Sequence, residues 1–500
     1  MLFNSGIFLF YFLPLSLIGY QLLARFGKRA VIGFLAFASI VFYSWWDWHF
    51  VYVLVGSMLL NFAVSRLIVA AKTDAQKKFW LISGITLNLG ALCYYKYLES
   101  ILRFFTHLGW AHGWPQIVLP LGISFFTFTQ IAYLIDLTQG QAQPQSIVEY
   151  ALFVTFFPHL IAGPILHHKE MMPQFLAPGD PRLKADDVLV GLSWFVIGFA
   201  KKCIIADYFG PHAEGAFSSP STLHMGEAWL GIVAYSLQLY FDFSGYSDMA
   251  IGLGRMFSIK FPMNFNSPYK AASIIDYWAR WHMTLTRYLT AYLYNPISLS
   301  VNRARMKAGK KVSQKAARTI SGFVSMIAWP TMLTMFLAGI WHGAGFQFII
   351  FGLLHGFYIS VNHAWRLYRG LRSEHQPVSA QTRVAYVLLT YLCVLIAQIF
   401  FRANSTHDAL QFLGAMAGMH GHSLAMKKPL LVLSLVGLIA CWSLPNTQEI
   451  LGQAGQSIEQ ARWRWLTWKP TLVWSVALGV LFFASILSIR NEATFLYFQF

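Results

Sequence analysis

The feature that most constrains this chain is the recurrence of apolar stretches, each long enough to cross ~30 Å of hydrocarbon or to pair into such a crossing. They fall near 6–24, 31–46, 50–71, 79–97, 117–137, 147–166, 188–206, 226–257, 274–297, 320–341, 345–366, 383–401, 428–445 and 470–489. About eleven to thirteen spans, some bent or re-entrant, account for the pattern. Backbone polar groups in lipid must be satisfied within the segment, so runs of this kind predict an all-α polytopic membrane protein. Composition removes the soluble alternative. Only 11% of residues are charged against 56% hydrophobic, whereas soluble domains carry roughly 25% charged residues. No repeat, low-complexity tract or separate soluble domain interrupts the runs, so 1–500 reads as one transmembrane domain whose motifs concentrate in 150–365.

The charge balance is basic, 37 Lys plus Arg against 20 Asp plus Glu, a net +17. Nucleic acid is not the expected partner, because 43 Phe, 23 Tyr and 18 Trp interleaved with Leu runs do not make a solvated basic face. Positive charge here sets topology: Lys and Arg gather in short cytoplasmic loops and aromatic residues at both membrane interfaces, with lipid as the surrounding partner. Charged loops at 72–78 and 366–372 fit that placement. The first apolar run has no basic residues before it and no Ala-x-Ala-like site after it. It reads as a first span with its N-terminus outside and Arg25–Arg29 in the cytoplasm. Residues 302–318 form a loop with seven basic residues and no acid. Such a loop either determines topology and meets lipid headgroups, or attracts an anionic cytoplasmic cosubstrate. Cys93, Cys203, Cys393 and Cys441 lie far apart, which argues against a disulfide framework or a zinc site.

Ionisable and amide groups inside spans cost several kcal/mol unless they find partners or line a cavity, so each is a functional candidate. Gln238, Asp242, Ser244, Ser247 and Asp248 surround Gly245, where a helix would unwind and expose a polar interior wall. Alternatively, the two aspartates pair with Arg255 or Arg280 and hold helices together. Asn264 opens a second polar group, followed by Asp276-Tyr-Trp-Ala-Arg-Trp-His282. On one helix Asp276 and Arg280 would pair at i,i+4, while Trp278 and His282 share another face. His282 is either a hydrogen-bonded core residue or part of a site.

The strongest local signal is Leu337-Ala-Gly-Ile-Trp-His-Gly-Ala-Gly345. Gly339 and Gly343 would admit a close helix neighbour, with Trp341 and His342 beside it. An imidazole there could take a proton from a hydroxyl and return it to a leaving group; the alternative is that the glycines pack and His342 satisfies a carbonyl. His355, thirteen residues later, would point away from His342 on an unbroken helix, which disfavours a shared metal site. His159, between Pro158 and Pro164, reads as a packing residue at a kink. No His-x-x-x-His, Cys-x-x-Cys, Walker-type or Gly-x-Ser-x-Gly pattern supports a metal, nucleotide or serine-hydrolase site.

Taken together, Phe8-Leu-Phe-Tyr-Phe-Leu-Pro14, Tyr43-Ser-Trp-Trp46, Phe157-Pro-His-Leu-Ile-Ala-Gly-Pro164, Leu239-Tyr-Phe-Asp-Phe-Ser-Gly-Tyr-Ser-Asp-Met-Ala-Ile-Gly252, Trp278-Ala-Arg-Trp-His282, Trp341-His-Gly343 and Phe400-Phe-Arg402 resemble the membrane-bound O-acyltransferase family. Within it, the resemblance is to the branch serving bacterial alginate O-acetylation. The resemblance implies a ring of tilted helices around a central tunnel, with His342 as the essential histidine at its waist and His282 as the second tunnel histidine. It implies acetyl transfer from cytoplasmic acetyl-CoA, a cosubstrate and not a bound cofactor, across the bacterial inner membrane to an exported polysaccharide such as alginate or cellulose. A periplasmic SGNH-type acetyltransferase and polysaccharide export machinery are the implied partners.

In that framework His342 is the general base, His282 orients the donor carbonyl or holds a tautomer, and Asp242, Asp248 and Asn264 polarise the wall. Gln238, Trp278, Arg280 and Trp341 line the passage. The chain departs from the family pattern at Thr290 and Ala291, where Arg and Asp are expected, and at Ser298-Leu299, where Gly-Gly is expected. Alternative functions are D-alanyl transfer from a carrier protein to teichoic acid, passage of acylated precursors without chemistry, and a structural subunit anchoring a polysaccharide synthase.

Overall fold

The computed structural model describes residues 1–107, 117–370, 379–424, 426–452, 464–489 and 496. These form helices joined by turns, with no strand among the described residues. Among the described residues, six helices have the length and apolarity to cross a membrane: Phe8–Phe26, His49–Ala70, Ala185–Ser218, Ile320–His342, Phe346–Tyr368 and Ala380–Arg402. Ile123–Thr138, Lys428–Ser443 and Leu472–Leu487 are shorter apolar helices. The protein is thus an all-α, multi-pass membrane protein.

Two predicted runs are not single helices. The run at 147–166 stops at Thr155, and a short turn Phe157–Leu160 follows. Pro158 and Pro164 remove the donors that a continuous helix would need. The run at 274–297 is divided into Ile274–Trp278, a left-handed turn at His282, and Met283–Leu289. Ser273 caps the first piece by accepting the Asp276 N–H, which fixes where it starts. Of the basic segment 302–318, residues 302–307 are the end of a helix, Asn295–Lys307, and not loop; Gln314–Ala317 forms another turn of helix. In the charged stretch at 366–372, residues 371 and 372 lie outside the described residues.

The chain divides into two units. The first comprises Met1–Ile204, Phe243–Pro262 and Thr447–Gln499. Its core is aromatic: Phe3, Phe8, Phe42, Phe157 and Phe195 are all at most 1% exposed, and Phe42 and Phe157 meet at 5.4 Å. Two amide side chains buried inside it pair with each other. Asn61 and Asn88 exchange amide hydrogen bonds at 3.1 and 2.6 Å, joining His49–Ala70 to Asp74–His107.

The expected unwinding at Gly245 is not found. Met225–Met256 is one continuous helix whose interior is almost wholly buried. Its glycines serve close approach instead. A Cβ at Gly245 would lie 2.6 Å from the Gly198 carbonyl oxygen, and one at Gly252 would lie 2.5 Å from that of Gly191. Both helices place glycines seven residues apart, on one face, so two backbones pack antiparallel with nothing between them. The polar residues around Gly245 mark this crossing and not a broken helix.

The second unit comprises Ile205–Asp242 and Met263–Asn446. Its central element is a hairpin of Trp329–His342 and Phe346–Tyr368, joined by Gly343-Ala-Gly345. Gly339 lies against the backbone of Gly352, with a Cβ there 3.1 Å from the Gly352 Cα. Gly343 is not the helix-packing partner that its spacing suggested: it is extended at φ −174° and ends the helix beneath the Phe348 ring.

Candidate active site

His342 is the last residue of its helix and is 6% exposed. Aromatic rings meet the imidazole edge-on, Trp341 at 4.8 Å, Phe401 at 5.0 Å and Phe351 at 5.7 Å. The helix stops there because Gly343 and Gly345 take extended backbone, which puts the imidazole at a chain break and not in mid-helix. A histidine at the C-terminal end of a helix also faces the negative end of the helix dipole. Trp341 is 7% exposed and precedes it on the same turn.

His282 is built differently. It has φ 43°, one of three non-glycine residues with positive φ among the described residues, the others being Ser258 and Ser267. Left-handed backbone costs a side-chain-bearing residue about 1–2 kcal/mol, so the surroundings must hold it there. Asn264 does so. Its backbone carbonyl accepts the Met283 N–H at 2.9 Å, and its side-chain Oδ1 accepts Thr284 Oγ1 at 2.9 Å, the Thr284 N–H at 3.3 Å and His282 Nδ1 at 2.9 Å. Because a carbonyl oxygen only accepts, the bond assigns the proton to Nδ1, and Nε2 carries the basic lone pair. Asn264 is 1% and His282 2% exposed.

Arg280 and Asp276 form the predicted i,i+4 pair, Nε to Oδ1 at 2.6 Å, and Arg280 also donates to the Asn266 carbonyl at 3.3 Å. These bonds brace the turn that carries His282. Trp278 and His282 do not share a helical face as predicted, because the helix ends at Trp278 and the chain turns before His282. Trp278 instead donates from Nε1 to His355 Nδ1 at 3.2 Å. His355 in turn meets Phe351 edge-on at 4.8 Å. Phe351 therefore touches both His342 and His355. The expectation that these two histidines point apart assumed an unbroken helix, and the break at Gly343–Gly345 removes that premise. The glycines flanking Ala344 were the available signal.

Asp248 lies in the first unit. Its Oδ2 accepts Lys201 Nζ at 2.7 Å and Thr447 Oγ1 at 2.6 Å. Neither expected arginine is its partner: Arg255 pairs with Asp187 at 2.8 Å, and Arg280 is taken by Asp276. Gln238 and Asp242 sit on the portion of Met225–Met256 that belongs to the second unit, Asp242 buried and Gln238 half-buried beside Gly210. The structure thus brings together Asn264, His282 and Thr284 in one cluster, and Trp278, His355, Phe351, His342 and Phe401 in another, both within the second unit. Phe351 and Thr284 were not singled out from sequence; Phe401 appeared there only within the motif Phe400-Phe-Arg402, and His355 only as a residue pointing away from His342.

A buried imidazole at a helix end and a second one held as a single tautomer are the two candidate site histidines of this all-α membrane chain. Residues 79–404 match MBOAT, the membrane-bound O-acyltransferase family, and the chain belongs to that family as an O-acyltransferase. Among its relatives, a peptidoglycan O-acetyltransferase of Helicobacter pylori is 39% identical over 85% of this chain and 81% of its own length. A probable alginate O-acetylase of Pseudomonas aeruginosa is 34% identical over the whole of both chains. A teichoic acid D-alanyltransferase of Bacillus subtilis is more distant, 26% identical over 62% of this chain and 75% of its own length.

Proposed function

We propose that this protein moves an acetyl group from cytoplasmic acetyl-CoA across the bacterial inner membrane to a hydroxyl of an exported glycan, directly or through a periplasmic SGNH-type acetyltransferase. The observation that carries this reading is the 34–39% identity, over most or all of the chain, to two relatives named for O-acetylation of different glycans. Alginate-like and cellulose-like polymers are the acceptors expected from the sequence, and the peptidoglycan relative adds a wall glycan to that class. The more distant D-alanyltransferase supports alanyl transfer from a carrier protein less strongly.

His342 acts as the general base. It takes the proton of the attacking hydroxyl while the hydroxyl oxygen adds to the thioester carbonyl carbon. The carbon–sulfur bond then breaks, and the proton passes from the imidazolium to the departing thiolate. His282, with its Nδ1–H committed to Asn264, accepts at Nε2 and so orients a hydroxyl more readily than a carbonyl. Holding thioester and hydroxyl together in a dry, aromatic-walled site replaces a bimolecular encounter and contributes on the order of several kcal/mol. The seven cations of 302–318 attract the phosphates of the donor.

The test is turnover of radiolabelled acetyl-CoA by the full-length protein in detergent or proteoliposomes, comparing wild type with His342→Ala and His282→Ala. The His342 variant should lose at least ~100-fold in turnover at unchanged folding, a loss within the range of general acid–base contributions. Undiminished turnover would remove His342 from the mechanism, and turnover only with an acylated carrier protein would favour alanyl transfer.

A further inference from the structure

His355 is buried, 2% exposed, and takes no part in the chemistry above. Its surroundings are specific. An indole N–H can only donate, so the 3.2 Å bond from Trp278 Nε1 makes Nδ1 of His355 the acceptor and leaves the ring proton on Nε2. The ring is therefore fixed in both orientation and tautomer. Tyr277 lies parallel to it at 6.3 Å, and Phe351 meets it edge-on at 4.8 Å and 75°. Phe351 stands one helical turn before His355 and meets His342 edge-on at 5.7 Å and 90°. One phenyl ring is thus held between two imidazoles.

The other end of the bond lies in the segment carrying His282. The Trp278 carbonyl accepts Thr286 Oγ1 at 3.0 Å, which closes a loop over residues 278–286 with His282 inside it. The His282 loop and the His342 hairpin are accordingly joined at Trp278 and His355. We propose that His355 is a positioning residue for acyl transfer: its hydrogen bond with Trp278 sets the placement of the His282 loop against the hairpin, and its contact with Phe351 sets the ring of His342. This inference rests on the reading that the two site histidines serve the reaction.

The test compares His355→Leu, His355→Asn, Trp278→Phe and the Trp278→Phe/His355→Leu double variant with wild type and His342→Ala. Asn places an acceptor oxygen where Nδ1 stands, whereas Leu keeps the bulk and removes the acceptor. Two readouts are used: kcat and KM for acetyl-CoA turnover by the full-length protein, and alkali-released acyl groups on exported polymer from cells in which each variant replaces the chromosomal gene. The second does not depend on the identity of the donor. His355→Leu and Trp278→Phe should each lower kcat about tenfold or more with KM within about twofold. The double variant should be no worse than either single one, because both remove the same bond. His355→Asn should recover to within about threefold of wild type. Wild-type activity in His355→Leu alongside an inactive His342→Ala would overturn the proposal and leave the reaction assignment standing. Equal loss in the Leu and Asn variants, tracking a lowered melting temperature, would reduce His355 to a packing residue and also overturn it. Full activity in His342→Ala would overturn the reaction assignment itself, and the positioning role with it.

Discussion

Gly245→Ala isolates the packing that keeps Met225–Met256 unbroken. A methyl there would sit 2.6 Å from the Gly198 carbonyl oxygen, 3.1 Å from the Lys202 nitrogen and 3.1 Å from Lys201 Cβ. Two of these atoms are backbone, so no side chain can swing aside, and restoring contact at roughly 3.5–4 Å requires the helices to part by about 1 Å. Overpacking of this kind costs about 1–3 kcal/mol. The same movement pulls on Asp248, one turn further along, whose Oδ2 holds Lys201 Nζ at 2.7 Å and Thr447 Oγ1 at 2.6 Å. Weakening a buried charge-assisted hydrogen bond adds about 1–3 kcal/mol. The combined loss of about 2–6 kcal/mol corresponds to a melting temperature lower by about 4–12 °C.

The assay is thermal unfolding in detergent followed by a thiol-reactive fluorophore. Cys203 and Cys441 are buried and become reactive on unfolding, and label taken up before heating sets the baseline. Gly90→Ala is the matched control. It lies in Asp74–His107 with nothing within 4 Å of the added methyl, so it should melt at or slightly above wild type, since alanine is favoured in helices by about 0.5–1 kcal/mol. If Gly245→Ala melts with wild type, the crossing yields more easily than its geometry implies and the close-packing argument is wrong.

Two further outcomes follow from the local geometry. Asn264→Leu removes the oxygen that fixes the His282 tautomer and should lower acyl transfer by about 10–100-fold, a barrier increase of about 1.4–2.8 kcal/mol; acyl transfer at the wild-type rate would separate His282 orientation from activity. Outside the spans, Asp47 accepts the His49 backbone N–H at 2.9 Å and His49 Nδ1 at 2.7 Å. These bonds, the backbone one first, hold its carboxyl below the usual range. A depressed folded value means that the stabilisation is present above the unfolded carboxylate pKa and is lost as pH falls through the folded one. Asp47→Asn should therefore melt below wild type at neutral pH and converge with it on acidification; a gap that stays constant with pH would contradict the assignment.

Much of the candidate site was legible because it announces itself locally. An imidazole in an apolar run followed by Gly-Ala-Gly is anomalous whatever surrounds it, and the Asp276–Arg280 pair follows from helical spacing alone. Where the reading failed, it assumed a local rule that the chain breaks. Gly245 was expected to unwind a helix, but glycine also permits contact, and only the opposing glycines at 191 and 198 show which use applies. His355 was set aside by projecting it along a helix that ends thirteen residues earlier. The partners of Asp248 could not be named either, since Lys201 is 47 and Thr447 199 residues away in sequence.

What the amino-acid order alone settled is the solvent and the backbone: transfer of apolar surface into lipid is nearly additive along the chain, and unsatisfied amides in hydrocarbon leave helices as the answer. Which polar groups find one another was decided only in three dimensions. The clasp of Asn264 on His282, the Trp278–His355 bond and the Lys201–Asp248–Thr447 group each depend on the distance and angle between segments remote in sequence. A hydrogen bond has no value until those segments have already been placed.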